Sequence, residues 1–348
     1  MGLALKRGHF AGQIVGVSRR ETVQTALDMG VIDEGWSYDE MAQALDGADL
    51  VFLCTPIQRI LDQVEEVASL VSDGALVTDV GSTKRSIVAR ARACFREGTY
   101  FVGGHPMAGS EKAGVTAADP FLFQNAIYIL VPDEGVPRAR YDALVNLLRG
   151  VGARVLELDA DAHDQAVASI SHLPQLMATT LVEMVGRLNE ENDHFLPLAA
   201  GGFRDMTRIA SSPFAPVWQD IYATNADGVR AMVDRYIAVL KDARDRLEDG
   251  SLADDFAYAN RVRSSIPRDA KGFIHALYEI LVVAEDRPGV IAEIAAAMQQ
   301  HDLNISDIEV MKVREGEGGT LRLGFDSDSA AAKALEVLEG IGYVARRP

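Results

Sequence analysis

Residues 76–84 read LVTDVGSTK, a short apolar run that ends in Gly81-Ser82 and leads into a helix that we expect to open at Thr83. Similar apolar runs recur before and after it, and helical periodicity separates them. This alternation predicts a parallel sheet with crossover helices, whose strands are buried on both faces. The expected strands are Gln13–Val17, Leu50–Cys54, Leu76–Val80, Tyr100–Val102, Ala126–Leu130 and Arg154–Leu158.

Two further regions follow this α/β domain, which we place at 1–158. Residues 159–272 show helical periodicity alone and predict a bundle that pairs with a second copy of itself. Its first helix, over 159–188, should kink near Pro174. Residues 273–348 predict a ferredoxin-like βαββαβ unit. Its expected elements are a strand at 276–284, a helix at 288–301, strands at 305–313 and 319–325, a helix at 327–340 and a strand at 342–346.

The bulk composition is typical of a globular protein with an acidic surface. Apolar residues make up 48% of the chain, and no apolar run is long enough to span a membrane. The net charge of −17 disfavours nucleic acid and anionic lipid as partners. Cys54 and Cys94 form no CxxC motif, so we expect no zinc site and no other metal. With no secretory signal at the N-terminus, these features predict a cytoplasmic protein.

A dinucleotide lies at the carboxyl edge of the sheet in Rossmann-type folds, usually near an acidic residue that binds the ribose 2′-hydroxyl. Here Ser18 takes the place of that residue, and Arg19 and Arg20 follow it. Adjacent arginines in an acidic protein favour a 2′-phosphate, and so NADP over NAD. The alternative is a solvated basic turn. Thr55 and Pro56 lie where another strand reaches the same edge, although any strand-to-helix turn looks similar.

The segment GGHPMAGSEKAG at 103–114 carries the strongest local signal for chemistry. His105 follows a strand and precedes Pro106, so it should be held at the carboxyl edge of the sheet, where glycines allow a ligand to approach. A histidine there suits general-base catalysis, and an inert loop histidine is the alternative. Ser82 should face the same crevice beside a helix N-terminus, unless Ser82 or Thr83 merely caps that helix.

The helical region contributes two further candidates. His172, in SISHLPQ, lies beside the proline kink; a core histidine that bonds a backbone carbonyl is the alternative. Arg208, in GGFRDMTRIA, would clamp a carboxylate at a buried interface. Arg204 in the same segment is expected to pair with Asp205 or another acidic neighbour.

Taken in order, the segments LCTPIQ, DVGSTK, GGHPMAGSEKAG, AHDQAVASISHLP and GGFRDMTRIA resemble the successive motifs of the prephenate/arogenate dehydrogenase family of tyrosine biosynthesis. The segments LVVAEDRPGVIAEI and HDLNISDIEV resemble an ACT domain. The resemblance implies a Rossmann-type domain, an all-helical dimerisation domain and a C-terminal ferredoxin-like βαββαβ ACT regulatory domain. It also implies a homodimer, an active site between the first two domains, and feedback by tyrosine.

On matching positions, the resemblance implies that His105 is the catalytic histidine and His172 a second active-site histidine. Ser82 would hydrogen-bond near the substrate hydroxyl and the nicotinamide, and Arg208 would bind a substrate carboxylate. Two sets complete what the resemblance implies: Glu111 and Lys112 at the entrance to the site, and Asp286, Gly289 and Asn304 around the effector.

The implied reaction is the oxidative decarboxylation of prephenate to 4-hydroxyphenylpyruvate with hydride transfer to NAD(P)+. His105 would accept the hydroxyl proton as hydride leaves C4, and loss of CO2 with aromatisation would make the step irreversible. The GSEKAG stretch resembles prephenate-using members of the family more than arogenate-using ones. Arogenate, which would yield tyrosine directly, is the alternative substrate.

The chain departs from the family pattern at its N-terminus. The family begins with a strand and a Gly-rich turn resembling GxGxxG, whereas this chain begins where the first helix follows them. A misassigned start would explain the difference. Because that strand is central in the usual sheet, we expect the sheet to be split. We also expect this chain to bind dinucleotide poorly and to be unstable.

Two other functions compete with this interpretation. A dehydrogenase of the 3-hydroxyacid type would share the domain order, but such enzymes usually depend on a catalytic lysine in the helical part, where this chain offers His172 and Arg208. A catalytically impaired sensor would use only the ACT-like domain. The missing Gly-rich turn favours the sensor, whereas the intact set of His105, Ser82 and Arg208 disfavours it.

Overall fold

The protein is described here by a computed structural model, which covers residues 1–109, 114–248, 250–266, 277–284, 287–314 and 318–347. The chain divides into two compact units, Met1–Leu252 and Ala253–Pro348. Within those described ranges, none of the helices combines the length and the apolar character needed to cross a bilayer.

The strands of the first unit lie in two separate sheets. Strands β1 (Val15–Val17) and β2 (Glu34–Trp36) pair in parallel on their own. The larger sheet has the order β3 (Leu50–Leu53), β4 (Leu76–Asp79), β5 (Tyr100–Pro106), β6 (Ile127–Val131) and β7 (Arg154–Glu157). The predicted strands are therefore present and the predicted split of the sheet is observed, while weak dinucleotide binding and low stability stay predictions. Strand β2 was not predicted, because Glu34-Gly35-Trp36 is not an apolar run.

The direction of one strand contradicts the prediction of a fully parallel sheet. Strand β6 pairs antiparallel with β5, whereas the other neighbours in the larger sheet are parallel. A parallel neighbour needs a crossover connection, usually a helix. The described part of the connection from β5 to β6 holds only the 3-10 turn Val115–Ala117, and the chain returns in the opposite direction.

Helices cover both faces of the larger sheet. The unit contains α1 (Gly2–Arg7), α2 (Arg20–Asp28), α3 (Met41–Leu45), α4 (Ile57–Leu70), α5 (Arg85–Cys94) and α6 (Arg138–Gly150). Apolar residues of α4 and α5, such as Ile60 and Ile87, pack with Val77 and Phe101 on one face. On the other face, α1 and α6 pack against Val102 and Leu130. In α6 the buried positions are spaced for one helical face: Tyr141, Leu144, Val145 and Leu148.

A continuous helical run begins the second half of this unit. Helix α7 (Ala160–Val167) passes through a π-helical turn, Ala168–His172, into α8 (Leu173–Glu191). Pro174 lies in the first turn of α8, where its missing N–H and its ring disturb the preceding turn. The predicted interruption near Pro174 is thus a widened turn. Helices α9 (Gly201–Met206), α10 (Gln219–Thr224) and α11 (Ala226–Asp245) follow.

These helices leave many large apolar side chains in contact with solvent. Examples from α8, α9, α11 and their flanking segments are Ile170, Met184, Leu198, Met206 and Leu240, each at least half exposed. Single exposed apolar residues are normal, but a concentration of them marks an interaction surface.

The second unit contains the predicted βαββαβ order. After α12 (Ala253–Ser265) come β8 (Tyr278–Ala284), α13 (Val290–Gln300), β9 (Asp307–Arg314), β10 (Gly318–Phe325), α14 (Asp328–Gly340) and β11 (Val344–Arg346). The strands form an antiparallel sheet in the order β11-β8-β10-β9. Its core packs Ile280 and Leu323 of the sheet against Ile294 and Leu338 of the helices. The ferredoxin-like fold is confirmed.

Candidate active site

His105 lies near the carboxyl end of β5 and is partly buried. Gly104, just before it, permits a close approach of neighbouring groups. A Cβ on Gly104 would lie 2.5 Å from the Asp79 carbonyl oxygen and 3.1 Å from the Tyr128 ring. The glycines predicted to serve ligand approach therefore also serve close packing of the strand that carries His105.

The ring of His105 leads into a buried hydrogen-bonded series. Its Nδ1 lies 2.8 Å from His163 Nε2, and His163 Nδ1 lies 2.8 Å from Asp164 Oδ1. His163 and Asp164 belong to α7 and are almost wholly buried. Both residues lie in the motif AHDQAVASISHLP, but no role was predicted for either. The adjacent pair His163-Asp164 was the signal that could have found them.

Hydrogen-bonding capacity fixes the tautomers of the two rings when both are neutral. Burial raises the pKa of Asp164, but hydrogen bonds from His163 and from the Lys84 and Arg85 amides outweigh it and lower the pKa overall. An ionised carboxylate only accepts, so His163 donates from Nδ1 and accepts at Nε2. His105 must then donate from Nδ1. Its Nε2 is left with the lone pair and is the basic nitrogen.

The surroundings keep His105 neutral. Burial is the main cause that lowers the pKa of His105 well below its ordinary value, and the repulsion that a positive charge on His163, Lys84 or His172 would exert adds to it. A neutral imidazole can accept a proton at neutral pH, as the expected general base must. This environment disfavours the alternative of an inert loop histidine.

A buried ion pair lies directly beneath His105. Lys84 Nζ contacts Asp79 Oδ2 and donates to the Gly104 carbonyl at 2.7 Å. Asp79 Oδ1 accepts the Gly104 amide at 3.0 Å, and Asp79 Oδ2 accepts the Gly81 amide at 2.7 Å. Both charged side chains are completely buried. The pair therefore joins the strand that bears His105 to the loop that bears Ser82.

Ser82 lies in this loop and is partly buried, but the helix after it differs from the prediction. Helix α5 begins at Arg85 rather than at Thr83, and neither Ser82 nor Thr83 caps it. Thr83 Oγ1 instead lies 2.8 Å from Thr224 Oγ1. The carboxylate of Asp164 accepts the Lys84 and Arg85 amides at 2.7 and 3.1 Å. A protein carboxylate thus occupies the helix terminus that was expected to favour an external anion.

His172 is buried in the π-helical turn. Its Nδ1 lies 3.5 Å from Asn225 Nδ2, and the Trp218 ring meets it edge to face at 6.3 Å between centroids. Burial lowers the pKa of His172 to about 4. Asn225 also donates to the Asp164 carbonyl at 2.8 Å. The ring therefore lies near an amide linked to the His163-Asp164 segment, and Asn225 is a further residue that the sequence analysis missed.

Arg85 joins the two halves of the unit. Its guanidinium binds Asp227 through two contacts of 2.6 and 2.8 Å and donates to Asn225 Oδ1 at 2.9 Å and to Asp164 Oδ2 at 3.3 Å. Asp220 adds a similar link, because its Oδ2 accepts the Gln58 amide in the first turn of α4. Carboxylates from the helical half thus bind the helices that begin at the carboxyl edge of the sheet.

Arg208 differs from the expectation of a buried clamp. It opens the 3-10 turn Arg208–Ser211 and is exposed in the single chain. The next residue, Ile209, accepts a hydrogen bond from Gln175 Nε2 at 3.0 Å, which ties this turn to α8. Glu111 and Lys112, predicted at the entrance, lie outside the described residues.

The predicted cofactor residues lie at carboxyl ends of strands. Ser18 follows β1, Arg19 is the N-cap residue of α2 and Arg20 is its first residue, and both arginines are exposed. Thr55 and Pro56 connect β3 to α4. The Thr55 hydroxyl donates to Gln63 Oε1 at 2.8 Å, a local role that the sequence analysis did not foresee.

The second unit has a cavity of about 350 Å³ at the start of α13. Arg287, Pro288 and Gly289 line it, and Gly289 has the left-handed φ of +95°. Of the three predicted effector residues, Gly289 therefore lines the cavity. Asn304 is exposed and is not among the lining residues, and Asp286 lies outside the described residues.

Comparisons with known proteins identify all three regions of the chain. Residues 1–157 match the family "Prephenate dehydrogenase, nucleotide-binding domain", residues 159–259 match "Prephenate dehydrogenase, dimerization domain", and residues 278–340 match "ACT domain". A prephenate dehydrogenase of Bacillus subtilis is 37% identical over 97% of this chain and 92% of its own length. One from Lactococcus lactis is 32% identical over 97% and 94%.

A solved structure agrees with these sequence matches. The structure of prephenate dehydrogenase from A. aeolicus in complex with hydroxyphenyl propionate and NAD+ superposes with a TM-score of 0.68 at 28% identity. It covers 75% of this chain and 91% of that one.

Proposed function

The chain belongs to the prephenate dehydrogenase family, and from this premise we propose that it oxidatively decarboxylates prephenate with His105 as general base. The series His105–His163–Asp164 is the observation that carries the assignment of the base. The products are 4-hydroxyphenylpyruvate and CO2. Arogenate is the alternative substrate that an assay must compare.

The proton of the substrate hydroxyl goes to His105 Nε2. That nitrogen is basic because the other ring nitrogen donates to His163, whose own proton is held by Asp164. Since His105 is neutral near pH 7, no prior deprotonation of the enzyme is needed. Loss of CO2 and aromatisation of the ring follow the oxidation.

Three further residues have supporting roles in the proposal. Ser82 bonds near the substrate hydroxyl, from the loop that Asp79 and Lys84 tie to the strand of His105. His172, linked through Asn225 to the same network, bounds the site from the π-helical turn that precedes α8. Arg208 binds a carboxylate of the substrate from a turn fixed to α8 by Gln175.

The family implies a nicotinamide dinucleotide, and the carboxyl edge of the sheet fits it. When bound, the cofactor supplies the hydride acceptor. The exposed guanidinium groups of Arg19 and Arg20 lie where the chain leaves β1, the position that faces the adenosine ribose in this fold. We therefore propose NADP as the preferred form over NAD, with Ser18, Thr55 and Pro56 completing that edge.

Regulation and assembly complete the proposal. The cavity beside Gly289 has room for one free amino acid, and we propose tyrosine as the effector that binds there. The apolar side chains exposed on the helical region would be buried in a homodimer, consistent with its match to a dimerisation domain. A cytoplasmic location remains a prediction.

An absorbance assay of reduced nicotinamide tests the reaction. Prephenate and arogenate are each supplied with NAD and NADP, with and without tyrosine, at cofactor concentrations high enough to offset the weak dinucleotide binding predicted for this chain. We expect turnover with prephenate, inhibition by tyrosine, and a fall in kcat of about 10²–10⁴-fold in His105→Asn. His194→Asn is the control, because His194 is exposed and lies after α8. Unchanged turnover in His105→Asn, or none with any substrate, would contradict the proposal.

A further inference from the structure

In the proposed reaction His105 takes up a proton and with it a positive charge. That charge would be unfavourable if it stayed on the His105 ring. The described groups that act on this ring electrostatically are His163, Lys84 and His172, and a positive charge on any of them disfavours a second one on His105. Lys84 is completely buried, and its Nζ donates a hydrogen bond to the carbonyl of Gly104, the residue that precedes His105. A buried imidazolium beside a buried ammonium is an unfavourable product state.

His163 is in a different electrostatic position, although the two rings touch. Its Nδ1 lies 2.8 Å from an oxygen of Asp164, and both side chains are at most 1% exposed. The carboxylate is held in place by the amides of Lys84 and Arg85 and by the Arg85 side chain. A positive charge on His163 would therefore form a buried, hydrogen-bonded ion pair.

The geometry between the rings permits the charge to move. His105 Nδ1 and His163 Nε2 are 2.8 Å apart, a normal hydrogen-bond length, and the ring planes meet at 66°. When both rings are neutral, the proton on this bond is on His105 Nδ1. The reason is that the Asp164 carboxylate can only accept, so His163 donates to Asp164 from Nδ1 and accepts from His105 at Nε2. Once His105 Nε2 has taken up the substrate proton, one proton shift along this bond leaves His105 as its other neutral tautomer.

We propose that the positive charge of the substrate proton ends on His163 and not on His105. Two protons therefore move in the oxidation step. The substrate O–H bond breaks and its proton bonds to His105 Nε2, while the Nδ1–H bond of His105 breaks and that proton bonds to His163 Nε2. Hydride leaves the substrate carbon for the nicotinamide, as in the proposed function on which this inference rests. His105 ends neutral, and the imidazolium of His163 is paired with Asp164.

A proton inventory on the full-length protein tests this relay. Reduction of the nicotinamide is followed in a single turnover at saturating prephenate and cofactor, in mixtures of H2O and D2O, on the pH-independent plateau. Two protons in flight give a curved dependence of the rate on deuterium fraction, whereas one proton gives a straight line. We expect the curved form. A straight line with the unaltered protein would overturn the relay and leave the proposed function standing.

His163→Gln is the informative variant, because its amide oxygen can accept from His105 but cannot take the proton. We expect the rate of hydride transfer to fall about 10²-fold and the inventory to become straight. The exposed His194→Gln should retain both the rate and the curvature. A curved inventory and an unchanged rate in His163→Gln would refute the relay. If that variant does not fold, the inventory of the unaltered protein decides alone, and absence of any reduction would overturn the proposed function and the relay together.

Discussion

His172 contributes to stability in a way that depends on pH. Burial lowers its pKa to about 4, from an ordinary value of 6.5 that applies when the chain is unfolded. Below pH 6.5 the unfolded chain takes up the proton more readily than the folded one, so stability is complete above that pH and declines as pH falls towards 4. The full loss amounts to about 3 kcal/mol.

Urea unfolding at pH 7.5 and pH 5 checks this expectation. The free energy of unfolding of the unaltered protein should drop by about 2 kcal/mol more than that of His172→Gln, which has no proton to gain. The exposed His194→Gln serves as the control and should follow the unaltered protein. An equal drop in all three proteins would mean that His172 is not held neutral by burial.

Arg19 and Arg20 carry a prediction about the cofactor. If they bind a 2′-phosphate, the double change to alanine should weaken NADP binding by about tenfold or more and change NAD binding little, because NAD lacks that group. Fluorescence titration of the reduced cofactors measures both affinities without turnover. Arg138→Ala, an exposed arginine on α6, is the matched control. Equal weakening of both cofactors would favour the solvated basic turn.

The motifs located some residues of the site but not their partners. His105, Ser82 and His172 stand in recognisable segments, and their residue types suggest chemistry by themselves. The contact of His105 with His163 joins positions 58 apart in the chain, and Asn225 reaches Asp164 over a separation of 61. Such contacts depend on how α7 and α11 pack against the sheet. No local pattern in one sequence encodes that packing.

At the scale of elements, the end of the ladder between β4 and β5 determines where His105 lies. The pairing of the two strands ends at Thr78 with Val102. Beyond it, Asp79 accepts the N–H of Gly104 and Lys84 donates to its carbonyl, so that these side chains take the place of β4. Lys84→Met would leave the carboxylate of Asp79 buried without its partner. We expect a loss of about 3–5 kcal/mol in the free energy of unfolding.

A double-mutant cycle separates the pair from its parts. Asp79→Asn combined with Lys84→Met removes both charges, and it should be less destabilising than the sum of the two single changes. Denaturant unfolding of the four proteins gives the coupling energy. Strict additivity would show that the pair does not act as a unit.

The limits of prediction for the elements have physical causes. Strands such as Leu76–Asp79 can be predicted from the sequence, because a strand that is buried on both faces needs a run of mostly apolar residues. Strand β2 is three residues long, and hydrogen bonds to β1 define it rather than its composition. The reversed direction of β6 follows from the absence of a helix in the described part of its connection. Direction is a property of the connection, whereas periodicity within the strand is the same either way.

The whole molecule should assemble through its helical region. Met184 and Leu240 are about half exposed on α8 and α11, and a second chain would bury such residues. We expect Met184→Glu with Leu240→Glu to shift the protein from dimer to monomer in sedimentation velocity. Met29→Glu, a change at the end of α2 in the nucleotide-binding region, should leave the dimer intact. A dimer that survives the double change would place the interface elsewhere.

The order of the three regions was legible from the sequence because their hydrophobic periods differ. The domain bounds at 158 and 272 stay predictions, since the compact units divide the chain after Leu252. Arg208, proposed to bind a substrate carboxylate, is exposed in the single chain, and its segment matches the dimerisation domain. The local sequence does not distinguish an arginine that a second chain would cover from an arginine that stays in solvent.

The π-helical turn at Ala168–His172 has a consequence for how this sequence can evolve. Such a turn holds one residue more than an α-helical turn, and it behaves like a single-codon insertion in an otherwise regular helix. Deleting one codon there would restore the α-helix and rotate α7 against α8 by about 100°. His163 and Asp164 would then face away from the side on which His172 meets Asn225. The length of this segment and the geometry of the proposed site are therefore coupled, and we expect single-codon deletions here to be absent among active descendants of this gene.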